Sequence, residues 1–192
     1  MSAREDDLPG ALSRLLPTTD EALAMTAPGG VIAAVLIPLY LHDGRLFAIF
    51  TKRGADLRRH AGEISFPGGR RDEGEELRDT ALREAEEEIG LDRELVTILG
   101  ALPPTSTIVT NYAIYPFVGM IEPGRTFVPN PLEVDEVVEL ALADLVDGYE
   151  RKRLIRRGVP IKTATYTVGG HLIWGATARI VGMLLERLGP LV

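Results

Sequence analysis

The chain has 192 residues, 45% of them hydrophobic and 26% charged, which suits one globular domain with a modest appendage. It has no cysteine, which excludes a disulfide framework, a thiolate metal site and cysteine nucleophile chemistry, and leads to the expectation of a reducing cytoplasm. A formal net charge of −7 argues against a non-specific nucleic-acid binder, and no apolar run approaches the roughly 20 residues of a membrane span, so neither nucleic acid nor a membrane is an expected partner.

Residues 1–30 open on an acidic stretch unlike a signal peptide. A helical pattern follows (Leu8, Ala11, Leu12, Leu15, Leu16) and runs through Pro17 and Thr18-Thr19 to the breaker Pro28-Gly29-Gly30. We expect this segment to be an N-terminal arm packed on the main domain, which spans residues 31–192. Val31 to Leu41 reads as a buried strand, His42-Asp43-Gly44 as a turn and Leu46 to Thr51 as a returning strand. Arg53 to Gly62 reads as a basic loop. Leu77 to Ile89 is the clearest helix, stopped by Gly90 and followed by the apolar Leu91.

Val96 to Leu102 and Tyr112 to Ile121 are strand-like, and Pro103-Pro104-Thr105-Ser106 between them reads as a loop. Pro129-Asn130-Pro131 marks another loop. Val134 to Leu140 suits a short strand, and Leu142 to Val146 a helical turn. The basic stretch Arg151 to Arg157 is expected to be a solvated helix face. Thr163 to Val168 and His171 to Trp174 form a hairpin about Gly169-Gly170, and Thr177 to Leu188 closes the chain as a helix. Strands before and after isolated helices imply a mixed sheet covered by helices, an α/β architecture. His42 and His60 lack ligand-spaced partners and read as surface residues. Trp174 reads as core packing, with adenine stacking the minority reading.

The segment Gly69 to Leu91 carries the chemistry. At about 100° per residue, Glu84, Glu87 and Glu88 crowd one face of the helix. Leu77, Ala81, Ala85 and Ile89 form its apolar stripe, and Glu88 projects between members of that stripe rather than into solvent. Carboxylates so placed repel one another and resist burial in ionised form, a penalty that a hard divalent cation removes. Upstream, Phe66-Pro67-Gly68-Gly69 allows close backbone approach, so a carbonyl such as that of Gly68 suits the coordination. Arg83 can pair with a carboxylate and hold it in place. A merely solvated acidic helix is the alternative, and the glycine spacing and the inward-facing glutamate speak against it.

Gly69, Glu75, Arg83, Glu84, Glu87, Glu88, Gly90 and Leu91 fall in register with the Nudix box, which this segment resembles. The one departure is Ala85, where a larger aliphatic is usual. The resemblance implies a Nudix-type α/β/α sandwich with a mixed central sheet. It also implies Mg2+ or Mn2+ held by Glu84, Glu87, Glu88 and the Gly68 carbonyl, with Glu75 and Arg83 as orienting partners and hydrolysis of a nucleotide diphosphate linkage. Glu84, or a carboxylate from a later loop, would act as general base. Glu133 and Glu136 are the loop candidates, with a solvated acidic loop equally consistent with their sequence.

The preceding segment is similar to the extended signature of coenzyme A diphosphatases, through Thr51, Arg53, Arg58, Gly62 and Phe66 to Gly69. Gly54 stands where a small Ser or Ala is usual. The similarity implies substrate contacts from Arg53, Arg58, Phe66 and Gly69, a coenzyme A-type substrate and, by family habit, a homodimer. Arg53, Arg58, Arg59, Arg70 and Arg71 gather positive charge suited to phosphates in an otherwise acidic chain. A broader hydrolase of ADP-ribose or NADH, and a catalytically silent nucleotide sensor, are the competing readings. The intact glutamate trio weighs against the sensor.

Overall fold

The computed structural model describes residues 7–54, 62–107, 110–156 and 159–192. Helices α1 (Leu8–Leu15) and α2 (Thr19–Leu23) precede the long strand β1 (Val31–His42), which returns as β2 (Arg45–Arg53). Two short strands, β3 (Ile64–Ser65) and β4 (Gly68–Arg70), lead to helix α3 (Leu77–Ile89). Strands β5 (Thr97–Ala101), β6 (Thr105–Ser106), β7 (Tyr112–Met120) and β8 (Val134–Ala141) follow. Helix α4 (Leu142–Asp147), strands β9 (Tyr149–Arg156), β10 (Val159–Val168) and β11 (His171–Trp174), and helix α5 (Gly175–Leu188) complete the fold.

The sheet is mixed. β1 runs parallel to β7, from Val31 opposite Tyr112 to Leu39 opposite Met120, while its other pairings are antiparallel. Near the hairpin turn β1 pairs with β2, from Leu39–Ala48 to His42–Arg45. That two-residue turn places Asp43 and Gly44 at φ 48° and 73°, the positive values that a twist-matched hairpin requires. Away from the turn β1 and β2 diverge, and β3 and β4 fill the fork. Ile64 pairs with Lys52 of β2, and Gly68 with Val35 of β1. β8 covers the other edge of β2, and β9–β11 make a separate three-stranded sheet.

Alternation along β1 and β2 divides the interior into two cores. Ile37, Leu39, Ala48 and Phe50 face α1, α4 and α5, meeting Leu12, Leu142, Leu145 and Leu184. Ala34, Leu36 and Ile49 face the opposite side and meet Ala81, Ala85 and Ile89 of α3. Helices therefore bury both faces of the sheet, as a period-2 strand with apolar residues on both sides demands.

Several expectations need correction. The stretch beginning at Arg151 is not a helix face but strand β9, antiparallel to β10, with Lys152 opposite Thr163. Its charge pattern reports solvent exposure and says nothing of backbone pairing; Arg157 lies outside the described residues. Arg53 ends strand β2 rather than starting a loop, and Thr105–Ser106 pairs with β7 rather than lying in a loop. The passage through Thr18-Thr19 contains helix α2, started by a capping box in which the Thr18 side chain accepts from Glu21 N–H and Glu21 accepts from Thr18 N–H. The N-terminal segment places Leu12 and Leu16 in the main core.

Candidate functional site

The site forms where α3 passes over the β3–β4 wedge. Asp79 lies in the first turn of α3, and its C-terminus closes on Gly90 in the left-handed conformation at φ 67°. The carbonyls of Glu88 and Ile89, which the helix itself leaves unpaired, accept from Asn130 and Val128 N–H at 2.9 Å each. This docks the loop before β8 onto the helix end. Asn130 folds the loop tightly: its side-chain oxygen accepts from Leu132 N–H, and its carbonyl from Glu133 and Val134 N–H. Glu133 is thereby held beside the glutamate cluster, and its carbonyl accepts from Gly54 N–H at 3.1 Å.

Arg83 is the hub. Its Nε and Nη2 donate to the two oxygens of Glu75 at 2.9 and 3.1 Å. Its Nη1 donates to Glu84 at 2.9 Å and Glu87 at 3.1 Å, and Nη2 also reaches the Arg70 carbonyl at 3.2 Å. Five acceptors thus match the five N–H groups of one guanidinium. Glu75 is satisfied further by the Thr80 hydroxyl at 2.7 Å and Asp72 N–H at 3.2 Å. The Arg83 hydrogen bonds and these further donors outweigh partial burial and hold the Glu75 carboxyl down at about 2. Thr80, wholly buried, is a supporting residue that helix periodicity alone did not single out. A hydroxyl five residues after Glu75 on a buried face was the available signal.

Glu88 is 3% exposed, and its carboxylate accepts from Gly68 N–H at 3.2 Å. Burial pushes its carboxyl up to about 8, against the Gly68 bond and the Arg53 charge, and with help from Glu84 and Glu133. Burial also raises Glu84, opposed by Arg83 and reinforced by Glu87 and Glu133. The glycines make this crowding possible. A Cβ on Gly69 would lie 2.4 Å from the Glu84 carboxyl carbon, and one on Gly68 would lie 2.4 Å from the Ala34 carbonyl oxygen.

The donor set is hard oxygen throughout, and burial disfavours the ionised forms of Glu84 and Glu88, which fits a divalent cation. As the side chains stand, no three acidic or imidazole groups converge tightly enough to hold an ion among the described residues. Glu87 instead turns toward Arg83.

The structure thus gathers Glu75, Arg83, Glu84, Glu87, Glu88, Gly68, Gly69 and Glu133 in one place, with Arg53 close enough for its charge to act on Glu88. Two residues stand elsewhere than expected, Phe66 and Glu136, and Gly69 has a different part to play. Phe66 is a core residue, 2% exposed and stacked on Phe50 at 4.5 Å between ring centroids, so it braces the loop instead of meeting substrate. Gly69 serves by leaving room for Glu84. Glu136 lies on β8, ion-paired with Lys52 at 3.2 Å. Arg58, Arg59 and His60 fall outside the described residues. Arg70 and Arg71 have exposed side chains and contribute backbone groups, the Arg71 N–H donating to Ile32 O.

Comparison with known proteins agrees with this geometry. A model of the NUDIX domain matches residues 31–161. An uncharacterized Nudix hydrolase, NudL, of Photorhabdus laumondii is 36% identical over 159 residues, covering 81% of this chain and 84% of that protein. The protein of the same description from Pectobacterium atrosepticum is 37% identical over 162 residues, covering 81% and 82%. Among solved structures, a MutT/nudix family protein from Enterococcus faecalis superposes with a TM-score of 0.59 at 15% identity, covering 83% of this chain and 62% of that one. The NUDIX domain of Shewanella oneidensis NrtR, complexed with ADP ribose, superposes with a TM-score of 0.57 at 15% identity, covering 82% and 88%. These two similarities show a shared fold. Together with the sequence matches over most of its length, they establish that the chain belongs to the Nudix hydrolases, enzymes that act on diphosphate bonds of nucleotide derivatives.

Proposed function

We propose that this hydrolase cuts the diphosphate linkage of coenzyme A, or of its acyl or oxidised forms, to adenosine 3′,5′-bisphosphate and a 4′-phosphopantetheine product. The observation that carries the catalytic reading is the crowding of Glu84, Glu87 and Glu88 on one face of α3, with Glu88 buried against Gly68. Glu84, Glu87, Glu88 and the Gly68 carbonyl are the groups to hold Mg2+ or Mn2+. Bound there, the ion would supply charge neutralisation at the diphosphate and a lowered pKa for water.

The chain's own residues do the rest. Arg83 keeps Glu84 and Glu87 aligned, and Glu75 fixes Arg83. Glu84 or Glu133 takes the proton of the attacking water as its oxygen joins phosphorus and the bridging P–O bond breaks, the leaving phosphate carrying off the electron pair. Arg53, at the end of β2 on the glutamate side, and Arg58 supply cations for the substrate phosphates. The similarity of Thr51, Arg53, Arg58, Gly62 and Phe66 to Gly69 to the coenzyme A signature supports that substrate. The absence of cysteine supports a cytoplasmic setting, and the same family reading includes a homodimer.

The test is a metal-dependent diphosphatase screen over coenzyme A, 3′-dephospho-coenzyme A, ADP-ribose and NADH. A marked preference for coenzyme A over its dephospho form is expected. Equal rates on all four would replace this reading with a broad nucleoside-diphosphate hydrolase. No turnover, with Glu87→Gln indistinguishable from wild type, would favour a nucleotide sensor.

A further inference from the structure

A second feature of the molecule has no part in the glutamate cluster. A cavity of about 580 Å3 opens between the end of β2, the β3 strand and the β10–β11 hairpin, with walls that include Lys52, Ile64, Leu154, His171, Leu172 and Trp174. Its size falls within the range of small-molecule sites. We infer that this cavity is the subsite for the purine base of the substrate's nucleoside half, with the base lying on Trp174. The inference rests on the diphosphate-hydrolase reading and adds to it the place where the unreacting end is recognised.

Position carries the first part of the argument. Lys52 lines the cavity, while its chain neighbour Arg53 acts on Glu88. Ile64 lines the cavity, and four residues on, the Gly68 amide donates to the Glu88 carboxylate. Four residues of extended chain cover at most about 14 Å. The cavity and the glutamates therefore flank the same strand ends, and one nucleotide substrate can reach both.

The lining decides which end of the substrate enters. Its one lysine is already neutralised, since Lys52 Nζ lies 3.2 Å from Glu136 Oε2, and His171 Nε2 lies 4.0 Å from the other oxygen of that carboxylate. A phosphate group would meet the Glu136 carboxylate, and no further lysine or arginine lines the cavity among the described residues. An uncharged, flat heteroaromatic ring suits the site better. Ile64, Leu154 and Leu172 offer apolar contact, Trp174 a planar face, and Lys52 and His171 polar groups for ring nitrogens. A flexible amide-bearing arm would gain little from a planar indole.

The chain has a single tryptophan, so intrinsic fluorescence excited at the indole reads this cavity alone. The experiment titrates full-length protein in EDTA with AMP and, separately, with 4′-phosphopantetheine, and follows Trp174 emission. Saturable quenching by AMP and none by 4′-phosphopantetheine is expected. In the turnover assay Trp174→Ala should raise KM at least tenfold with a much smaller change in kcat, and Trp174→Phe should restore most of the loss.

Quenching by 4′-phosphopantetheine in place of AMP would overturn the inference. So would AMP acting as a competitive inhibitor without altering Trp174 emission, or AMP failing to bind at all. Should Trp174→Ala not fold, the wild-type titration still decides. If the chain proves inactive on every diphosphate tested, the functional proposal fails on its own account, while AMP quenching still reports on the cavity.

Discussion

Arg83 and Glu75 form a two-pronged ion pair on the same side of α3, with Nε and Nη2 of the guanidinium reaching the two carboxylate oxygens at 2.9 and 3.1 Å. Both side chains are largely sheltered, 21% and 16% exposed. The pair matters because the remaining Arg83 donors hold Glu84 and Glu87, so the geometry of two candidate ligands depends on a residue outside the ligand set.

Arg83→Lys is expected to keep the charge and lose the fork, since an ammonium cannot serve five acceptors arranged in a plane. Activity should fall roughly 10- to 100-fold, the usual effect of removing a partner that orients ligands. Stability should fall by about 1–3 kcal/mol, because Glu75 keeps its burial and loses its fork. Steady-state kinetics with denaturant titration checks both; unaltered kcat would mean that Arg83 orients nothing that matters.

Acid stability carries the signature of Glu75. Its carboxyl is held at about 2 in the folded chain against an ordinary value of 4.5. A depressed carboxylate contributes stability that is fully present above 4.5 and is lost as pH falls toward about 2. Glu75→Gln should therefore melt lower than wild type at neutral pH, with the difference closing between pH 4.5 and 2. A difference in melting temperature that stays constant across that window would show that the ion pair does not set it.

Gly68→Ala and Gly69→Ala should separate by mechanism. At Gly68 a methyl meets backbone, 2.4 Å from Ala34 O and 2.6 Å from Val35 Cα, at a φ of 157°. Nothing there can yield cheaply, so the substitution should destabilise the fold by about 1–3 kcal/mol. At Gly69 the methyl meets the Glu84 carboxyl group, the far end of a flexible side chain. That variant should fold with little loss and show a large drop in kcat as Glu84 swings aside. Equal melting temperatures for the two variants would contradict the assignment.

Glu88→Gln removes the charge and keeps an oxygen for the Gly68 N–H, so the metal-free chain should lose little stability. Manganese at about 100-fold over its dissociation constant should stabilise wild type by about 2.7 kcal/mol and the variant far less. Thermal unfolding with and without manganese is the measurement, and an equal shift in both proteins would remove Glu88 from the ligand set.

Much of the architecture could be read without coordinates, for local reasons. The α3 helix, its Gly90 stop and the Asp43–Gly44 turn follow from periodicity and from residues that tolerate positive φ. The shared face of Glu84, Glu87 and Glu88 follows from helical spacing alone. The strands β3 and β4 escaped because two- and three-residue segments are too short to show alternation. Strand β9 differs from the expected helix because charged residues serve an exposed strand as readily as an exposed helix.

Tertiary contact decided the rest. A glycine pair before a glutamate helix announces close approach, but only the fork between β1 and β2 shows that Gly68 meets Val35 and Gly69 makes room for Glu84. Phe66 stands inside a sequence signature for substrate yet stacks in the core, because facing directions in a wedge of two short strands are set by what they pack against. The charge environment of Glu88 likewise depends on burial and on Arg53 and Glu133 arriving from distant segments. Spacing within a helix is local, so the chemical groups carried along α3 follow from residue order alone. Which of them are buried, paired or open to substrate was decided by the tertiary structure, because desolvation and Coulomb interactions depend on neighbours that the chain supplies only when folded.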